Sequence, residues 1–330
     1  MPTPPPFQNS HPHAPHGFAD VLKWKLGITP KDSHLAGKTP NLPQTVEPDL
    51  AAIHAPAPNT TQITWIGHSS FLIQAQGRNL LIDPVYAKYC SPLPLPSLRR
   101  IQAPGIPWHQ LPEIHAVLIT HNHYDHLDAA VVKKLATTAQ FIVPEGLDSW
   151  IKRRGVNQVT PLTWWESTSI FDAFKITACP AQHGSARTPK DKNKTHWCGW
   201  MLEITGQTTS QKIYHAGDTG YCPHFQEIGK RFSSNTPIDL ALLPIGAYSP
   251  RALMHPVHVN PEEAVKIHQD IRAKQSIACH WGTFRLTDEP VMEPLALLEK
   301  AKQAAGIPDN AFIHIPIGGS VKIGPSDESV

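Results

Sequence analysis

Four side chains able to ligate a metal stand within six consecutive residues: His121, His123, Asp125 and His126, in the stretch V-L-I-T-H-N-H-Y-D-H-L from Val117 to Leu127. The apolar run Val117, Leu118, Ile119 predicts a buried strand, being short, partly β-branched and followed by polar turn residues. Beyond it, Leu127 to Leu135 (L-D-A-A-V-V-K-K-L) carries apolar residues at helical spacing. The ligands therefore sit where a strand gives way to a helix. His121 and His123 are two apart, and in extended backbone such residues point to one side. Asp125 and His126, at the helix entrance, are aimed further along, so one short segment can begin two adjacent metal sites. A surface loop merely rich in histidine is the other reading, since the chain holds 20 His. H-x-H-x-D-H directly behind a buried strand is far more specific than a lone H-x-H.

A two-metal centre needs about seven protein ligands and a bridging solvent, and later strand ends should supply the missing three. Asp218, in H-A-G-D-T-G, follows a strand and sits among glycines that allow close backbone approach. His280 ends the strand Ser276 to Cys279, and His183 follows the strand Phe174 to Cys179. The expected division is His121, His123 and His183 on a first metal, Asp125, His126 and His280 on a second, with Asp218 bridging. Imidazole and carboxylate without thiolate suit two zinc ions, with iron or manganese as alternatives. Cys222 and Cys279 lie near enough to raise the question of thiolate ligation but are read as packing residues. Asp83 and Thr120 are expected to orient ligand imidazoles.

Strand and helix patterns place these residues on a frame. Ile63–Ile66 and Phe71–Ala75 predict strands, Gly77 a turn, and Leu80–Ile82 a third strand ending in Asp83. The layout recurs at Cys198–Ile204, a turn at Gly206, and Lys212–Tyr214 running to Asp218. Each hairpin ends in an aspartate and is followed by a buried strand, Val117–Ile119 and Leu240–Leu243. This predicts two similar halves: two mixed sheets face to face with helices outside. Helices are expected at Leu127–Ala136, Leu147–Arg154, Phe225–Phe232, Pro261–Arg272 and Pro290–Ala305. Pro261, behind Asn260 as cap and followed by two glutamates, is a well-formed helix start.

Residues 1–58 hold 12 of the 34 prolines and read as a partly extended or disordered leader ahead of a single domain over 59–330. One amphipathic turn, Phe18 to Leu26, suits docking on the main body, and His11, His13 and His16 read as a flexible polar tail. Removing residues 1–50 is then expected to leave both metals in place. A Pro- and Leu-rich insertion spans Tyr86 to Pro112. Its leucines beside Arg99 and Arg100 suit either a lipid surface or a fold back onto the core.

The net charge of +2 offers no electrostatic footprint for nucleic acid. Five cysteines without a C-x-x-C pair read as reduced and intracellular, hence cytoplasmic. No signal core and no run of about 18 apolar residues is present. The partners expected are a phospholipid or other small ester, a membrane touched peripherally, and a second copy of the chain as a homodimer.

The H-N-H-Y-D-H-L-D motif resembles the metallo-β-lactamase superfamily, which implies an α/β fold, the four-layer αββα sandwich. W-I-G-H-S-S at Trp65, L-I-D-P-V at Leu81, W-W-E at Trp164, G-D-T-G-Y-C-P at Gly217, H-V-N-P-E-E-A-V at His258 and H-W-G-T-F at His280 narrow the match. Together they are similar to the zinc phosphodiesterases that hydrolyse N-acylphosphatidylethanolamine, of phospholipase D type. The resemblance covers about residues 60 to 285, and all seven ligands fall on this sequence unbroken. It implies a catalytic set of Asp125, Asp218 and His258, with His258 facing substrate. Two departures concern substrate. Animal members have Q-H-W-C where this chain reads Q-H-G-S (Gln182 to Ser185), and Gln-His where it reads Val257–His258.

The expected chemistry is attack on phosphorus by a hydroxide shared between metals about 3.5–4 Å apart, releasing phosphatidic acid and N-acylethanolamine. His258 would hold phosphate or protonate the leaving oxygen. The alternative keeps the site and changes the bond to a lactone or cyclic ester. A nuclease would need a basic surface, and a sensor without catalysis would lack a ligand; neither fits.

Overall fold

The computed structural model describes residues 6–11, 18–29, 42–206 and 210–324. Residues 1–5 of the leader, with His13 and His16, lie outside the described residues. Two seven-stranded sheets pack face to face. The first contains β1 (Thr61–Gly67), β2 (Ser70–Ala75), β3 (Arg78–Ile82), β4 (Ala116–Leu118), β5 (Gln140–Pro144) and β6 (Val159–Leu162). The second contains β7 (Ser167–Ile170), β8 (Phe174–Cys179), β9 (Gly199–Thr205), β10 (Ser210–His215), β11 (Ile238–Pro244), β12 (Ala273–Cys279) and β13 (Phe312–Ile313). β14 (Ser320–Ile323) returns to the first sheet, antiparallel to β1.

The helices are α1 (Phe18–Lys25), α2 (Leu50–His54), α3 (Ala129–Leu135), α4 (Asp148–Lys152), α5 (His224–Phe232), α6 (Arg251–Met254), α7 (Pro261–Asp270) and α8 (Glu293–Ala305). The expected αββα sandwich is what the chain forms. Alternation along the strands divides the core between layers. Ile63, Trp65, Phe71, Ile73, Leu80 and Ile82 join the core shared with the second sheet. Ile66, Leu72 and Leu81 join Val131, Val132 and Leu135 of α3 and Ile151 of α4 on the outer side. Burying each such side chain contributes about 1.5–3 kcal/mol, so the two sheets form a stiff platform for the loops at their ends.

Local signals explain the helix starts nearest the site. Asp128 caps α3, its side chain accepting from Ala130 N at 2.8 Å. Asn260 and Glu263 form a reciprocal capping box on α7, at 2.9 and 3.1 Å, worth about 1 kcal/mol. The helices expected from sequence are all present, some shorter by two or three residues; α2 and α6, of 5 and 4 residues, are too short to show a period.

Described residues ahead of 59 are woven into the sandwich. Thr45 bridges to Ile317, Ile53 of α2 is fully buried, and α1 is fastened by Trp24 Nε1 donating to Asp288 at 2.8 Å. The insertion folds back at its base: Arg100 donates to the carbonyls of Val85 and Ala87 and lies 4.8 Å from the Phe284 ring. Its tip does not, leaving Leu93 63% and Leu95 45% exposed. No helix among the described residues is long and apolar enough to cross a membrane.

Candidate metal centre

Loops at the ends of β4, β8, β10 and β12 converge, and they bring together every ligand candidate read from the sequence. On one side, His121 Nε2 lies 2.9 Å from His123 Nδ1, and His183 Nε2 lies 3.2 Å from the same atom. Asp218 Oδ2 stands 3.8 Å from both His121 Nε2 and His183 Nε2. On the other side, Asp125 Oδ2 is 3.4 Å from His126 Nε2 and 3.5 Å from His280 Nε2. Asp218 reaches this group too, with Oδ2 at 3.2 Å from His126 Nε2 and Oδ1 at 3.0 Å from His280 Nε2. Asp218 therefore lies between the two sets.

These separations test the fit to metal. Ligand atoms on a tetrahedral ion with bonds of 2.0–2.1 Å sit about 3.3 Å apart, in the middle of the distances found. His126 Nε2, His280 Nε2 and Asp218 Oδ1 are buried without a well-formed hydrogen bond among the described residues. Buried polar atoms rarely go unpaired, and those that do need an explanation. Crowding of these atoms around Asp218, in groups that could each hold an ion, supplies it, so the residues fit bound metal. None of the candidate groups contains a cysteine, and Cys222 and Cys279 are buried free thiols.

The surroundings fix which ring nitrogen faces inward. His126 Nδ1 donates to Asp83 Oδ2 at 2.7 Å, and His183 Nδ1 donates to the Val257 carbonyl at 3.0 Å. Thr120 donates its hydroxyl to Asp83 at 2.6 Å and so accepts from His121 Nδ1 at 3.0 Å. Each bond leaves an Nε2 lone pair free for a cation. Burial lowers His183 to about 3 and His123 to about 4, keeping both neutral. Burial alone would raise the carboxyl groups of Asp125 and Asp218, but the imidazoles around them, His126 foremost, hold both well below the usual carboxylate range. His280 is opposed by burial, yet Asp218 and Asp125 hold it up to about 9. Bound cations would take over that role of balancing charge.

Two glycines permit the close approach. Gly217 has φ +63°, and a Cβ there would meet Cys198 O at 3.0 Å and Thr120 at 3.1 Å. At Gly246 a Cβ would fall 2.3 Å from the His280 carbonyl. Arg187 ties the ligand loop down: its Nη1 donates to the carbonyls of Asn122 and Leu127, both at 2.8 Å, with the guanidinium 3.9 Å from the Tyr124 ring. His258 is half-buried, its ring 5.0 Å from that of His183 and 5.6 Å from that of His280. Arg251 Nη1 holds its carbonyl at 2.9 Å.

One residue was missed. His68, in the turn between β1 and β2, donates through Nε2 to Asp125 Oδ2 at 3.0 Å, and its ring lies 4.0 Å from that of His280. Its carbonyl accepts from His280 N at 3.1 Å, and both residues adopt left-handed backbone, φ 55° and 58°. Non-glycine residues hold that conformation at a cost, and such strain clusters at functional sites. The W-I-G-H-S-S run carries this histidine, but a lone histidine in a turn gives no spacing to read.

A sandwich of this topology with a His/Asp cluster that could bind metal at its strand ends defines the class of metallo-β-lactamase-fold hydrolases. The chain belongs to the Beta-lactamase superfamily domain family, whose match covers residues 78–281, and within it to the relatives of an N-acyl-phosphatidylethanolamine-hydrolyzing phospholipase D. The Caenorhabditis elegans protein of that name is 36% identical over 269 residues, covering 77% of this chain and 74% of its own. A metal-dependent hydrolase of Pyrobaculum neutrophilum is 28% identical, covering 74% and 94%. Among solved structures, an isothiocyanate hydrolase from Delia radicum gut bacteria shares the fold, with TM-score 0.63, 21% identity, and 80% and 99% of the chains covered. The protein is a metal-dependent hydrolase.

Proposed function

We propose that this hydrolase is a dinuclear zinc phosphodiesterase of phospholipase D type, cleaving N-acylphosphatidylethanolamine-like lipids to phosphatidic acid and N-acylethanolamine. The observation that carries the reading is Asp218 placed between two groups of inward-facing imidazoles, beside the similarity to the nematode enzyme. His121, His123 and His183 would hold one ion, Asp125, His126 and His280 the other, with Asp218 shared. When bound, such ions would supply Lewis acidity, lowering the pKa of water and offsetting charge on the phosphate oxygens.

The chain's own groups do the rest. Asp83 and Thr120 hold the imidazoles of His126 and His121 in the tautomers that face inward. Burial lowers His258 to about 3, so it meets substrate neutral, with one N–H to offer a phosphate oxygen. The departure at Val257 leaves the metal side intact, since it is the Val257 carbonyl that fixes His183. Leu22, Leu26 and Ile28 of the α1 region and Leu93 and Leu95 of the insertion are exposed apolar residues. Both segments meet the chain just beyond His280, through Asp288 and Phe284. They would rest on a membrane from its cytoplasmic side while the headgroup reaches the metals.

The test is turnover by zinc-loaded protein of N-acylphosphatidylethanolamine vesicles against a lactone panel. Release of N-acylethanolamine supports the assignment. Turnover of lactones with lipid untouched replaces it with a lactonase.

A further inference from the structure

The six residues 6–11, expected to trail from the domain, lie across the loop that carries His183. Phe7 stacks on His196 with ring centroids 4.5 Å apart at 25°, and His196 lies 4.5 Å from Trp164. At the other end, Gln182 Nε2 donates to the carbonyl of His11. Between these anchors, Asn9 makes three hydrogen bonds through one amide. Its Nδ2 donates to the His183 carbonyl at 2.8 Å. Its Oδ1 accepts from His183 N at 3.1 Å and from Trp197 Nε1 at 3.1 Å.

The backbone of His183 has no main-chain partner among the described residues, whereas that of Gln182 is held at both ends: its carbonyl accepts from Gly220 N, and its N–H donates to the Thr219 hydroxyl. Ser185 is held separately, by Asn193 and by the Thr195 carbonyl. Among the described residues Asn9 closes the gap at His183, its amide pairing with the peptide as a neighbouring strand would. The ring of His183 then has one fixed end in its backbone and one in the bond from Nδ1 to Val257.

We propose that Asn9 is a positioning residue for the metal centre, holding the His183 backbone so that its imidazole completes the site shared with His121 and His123. The proposal rests on the metal-centre reading above. It reverses the expectation that removal of residues 1–50 leaves both ions in place: one of the two becomes labile. The chemistry demanded is a primary amide. Aspartate keeps the acceptor for His183 N and Trp197 but sets a carboxylate against the His183 carbonyl, and alanine supplies neither bond.

The test is stepwise removal of zinc from full-length protein by increasing chelator, with zinc per chain measured at each step. Wild type, Asn9→Ala, Asn9→Asp and the exposed-site control Ser10→Ala are compared. In both Asn9 variants one ion should leave at a chelator activity about 10- to 100-fold lower, with the other ion and the far-ultraviolet spectrum unmoved, and Ser10→Ala should match wild type. Release curves identical to wild type, or a shift of both ions together, would overturn the proposal. Should Asn9→Ala fold poorly, Asn9→Asp, which keeps two of the three bonds, decides alone. A wild-type chain that binds no zinc would instead remove the metal-centre reading, and this proposal with it.

Discussion

From β1 to β6 the successive pairings run antiparallel, antiparallel, parallel, parallel, parallel, and from β8 to β13 the same senses recur strand for strand. Even the outer edges agree, with β14 antiparallel to β1 and β7 antiparallel to β8. On that common frame the aspartate following β3 corresponds to the one following β10, yet the two do different work. Asp83 follows its strand directly; it is fully buried and uses its oxygens on Thr120 and on the outer nitrogen of His126. Asp218 comes three residues past the end of β10, after Gly217, whose lack of a side chain lets the loop close on Thr120 and Cys198. Its carboxylate therefore reaches inner nitrogens from both ligand groups. A small difference in reach, on matching hairpins, separates a group that aims ligands from one that can be a ligand.

The comparison can be broken at its strongest point first. Asp218→Asn should lower turnover by several orders of magnitude with circular dichroism unchanged, because a neutral amide cannot replace the carboxylate that faces imidazoles of both groups. Asp83→Asn should cost less, about 10- to 100-fold in metal affinity or turnover. Equal losses in the two variants would show that the halves are not specialised in this way. His68→Gln comes next. It loosens Asp125 but removes neither set of imidazoles, so about a 10-fold loss of turnover is expected, and a loss as large as that of Asp218→Asn would make His68 a ligand. The smallest effect is expected at the rim. Leu93→Ser with Leu95→Ser should lower turnover of lipid vesicles a few-fold while a soluble diester, bis-p-nitrophenyl phosphate, is cleaved as before. Equal losses on both substrates would place these leucines in folding rather than in membrane contact.

How far the sequence reached follows from the range of each interaction. The H-x-H-x-D-H segment was readable because strand, turn, ligands and helix are contiguous from Val117 to Leu135. His183, Asp218 and His280 were readable because apolar strands point chain ends toward one edge. The paired halves were visible in two hairpins ending in aspartate, although short edge strands such as β13 and β14, of 2 and 4 residues, carry no pattern of their own. His68 and Asn9 were out of reach for a different reason. Their bonds to Asp125 and His183 span 57 and 174 residues, and neither sits in a periodic segment. In the leader, proline content describes backbone stiffness and says nothing about where a Phe-x-Asn segment will dock.

Elemental analysis of protein purified without added metal, read together with its turnover, addresses the account at its centre. Two transition-metal ions per chain are predicted, lost with activity under chelation and restored together by zinc. Full turnover in a chain holding no metal would contradict it.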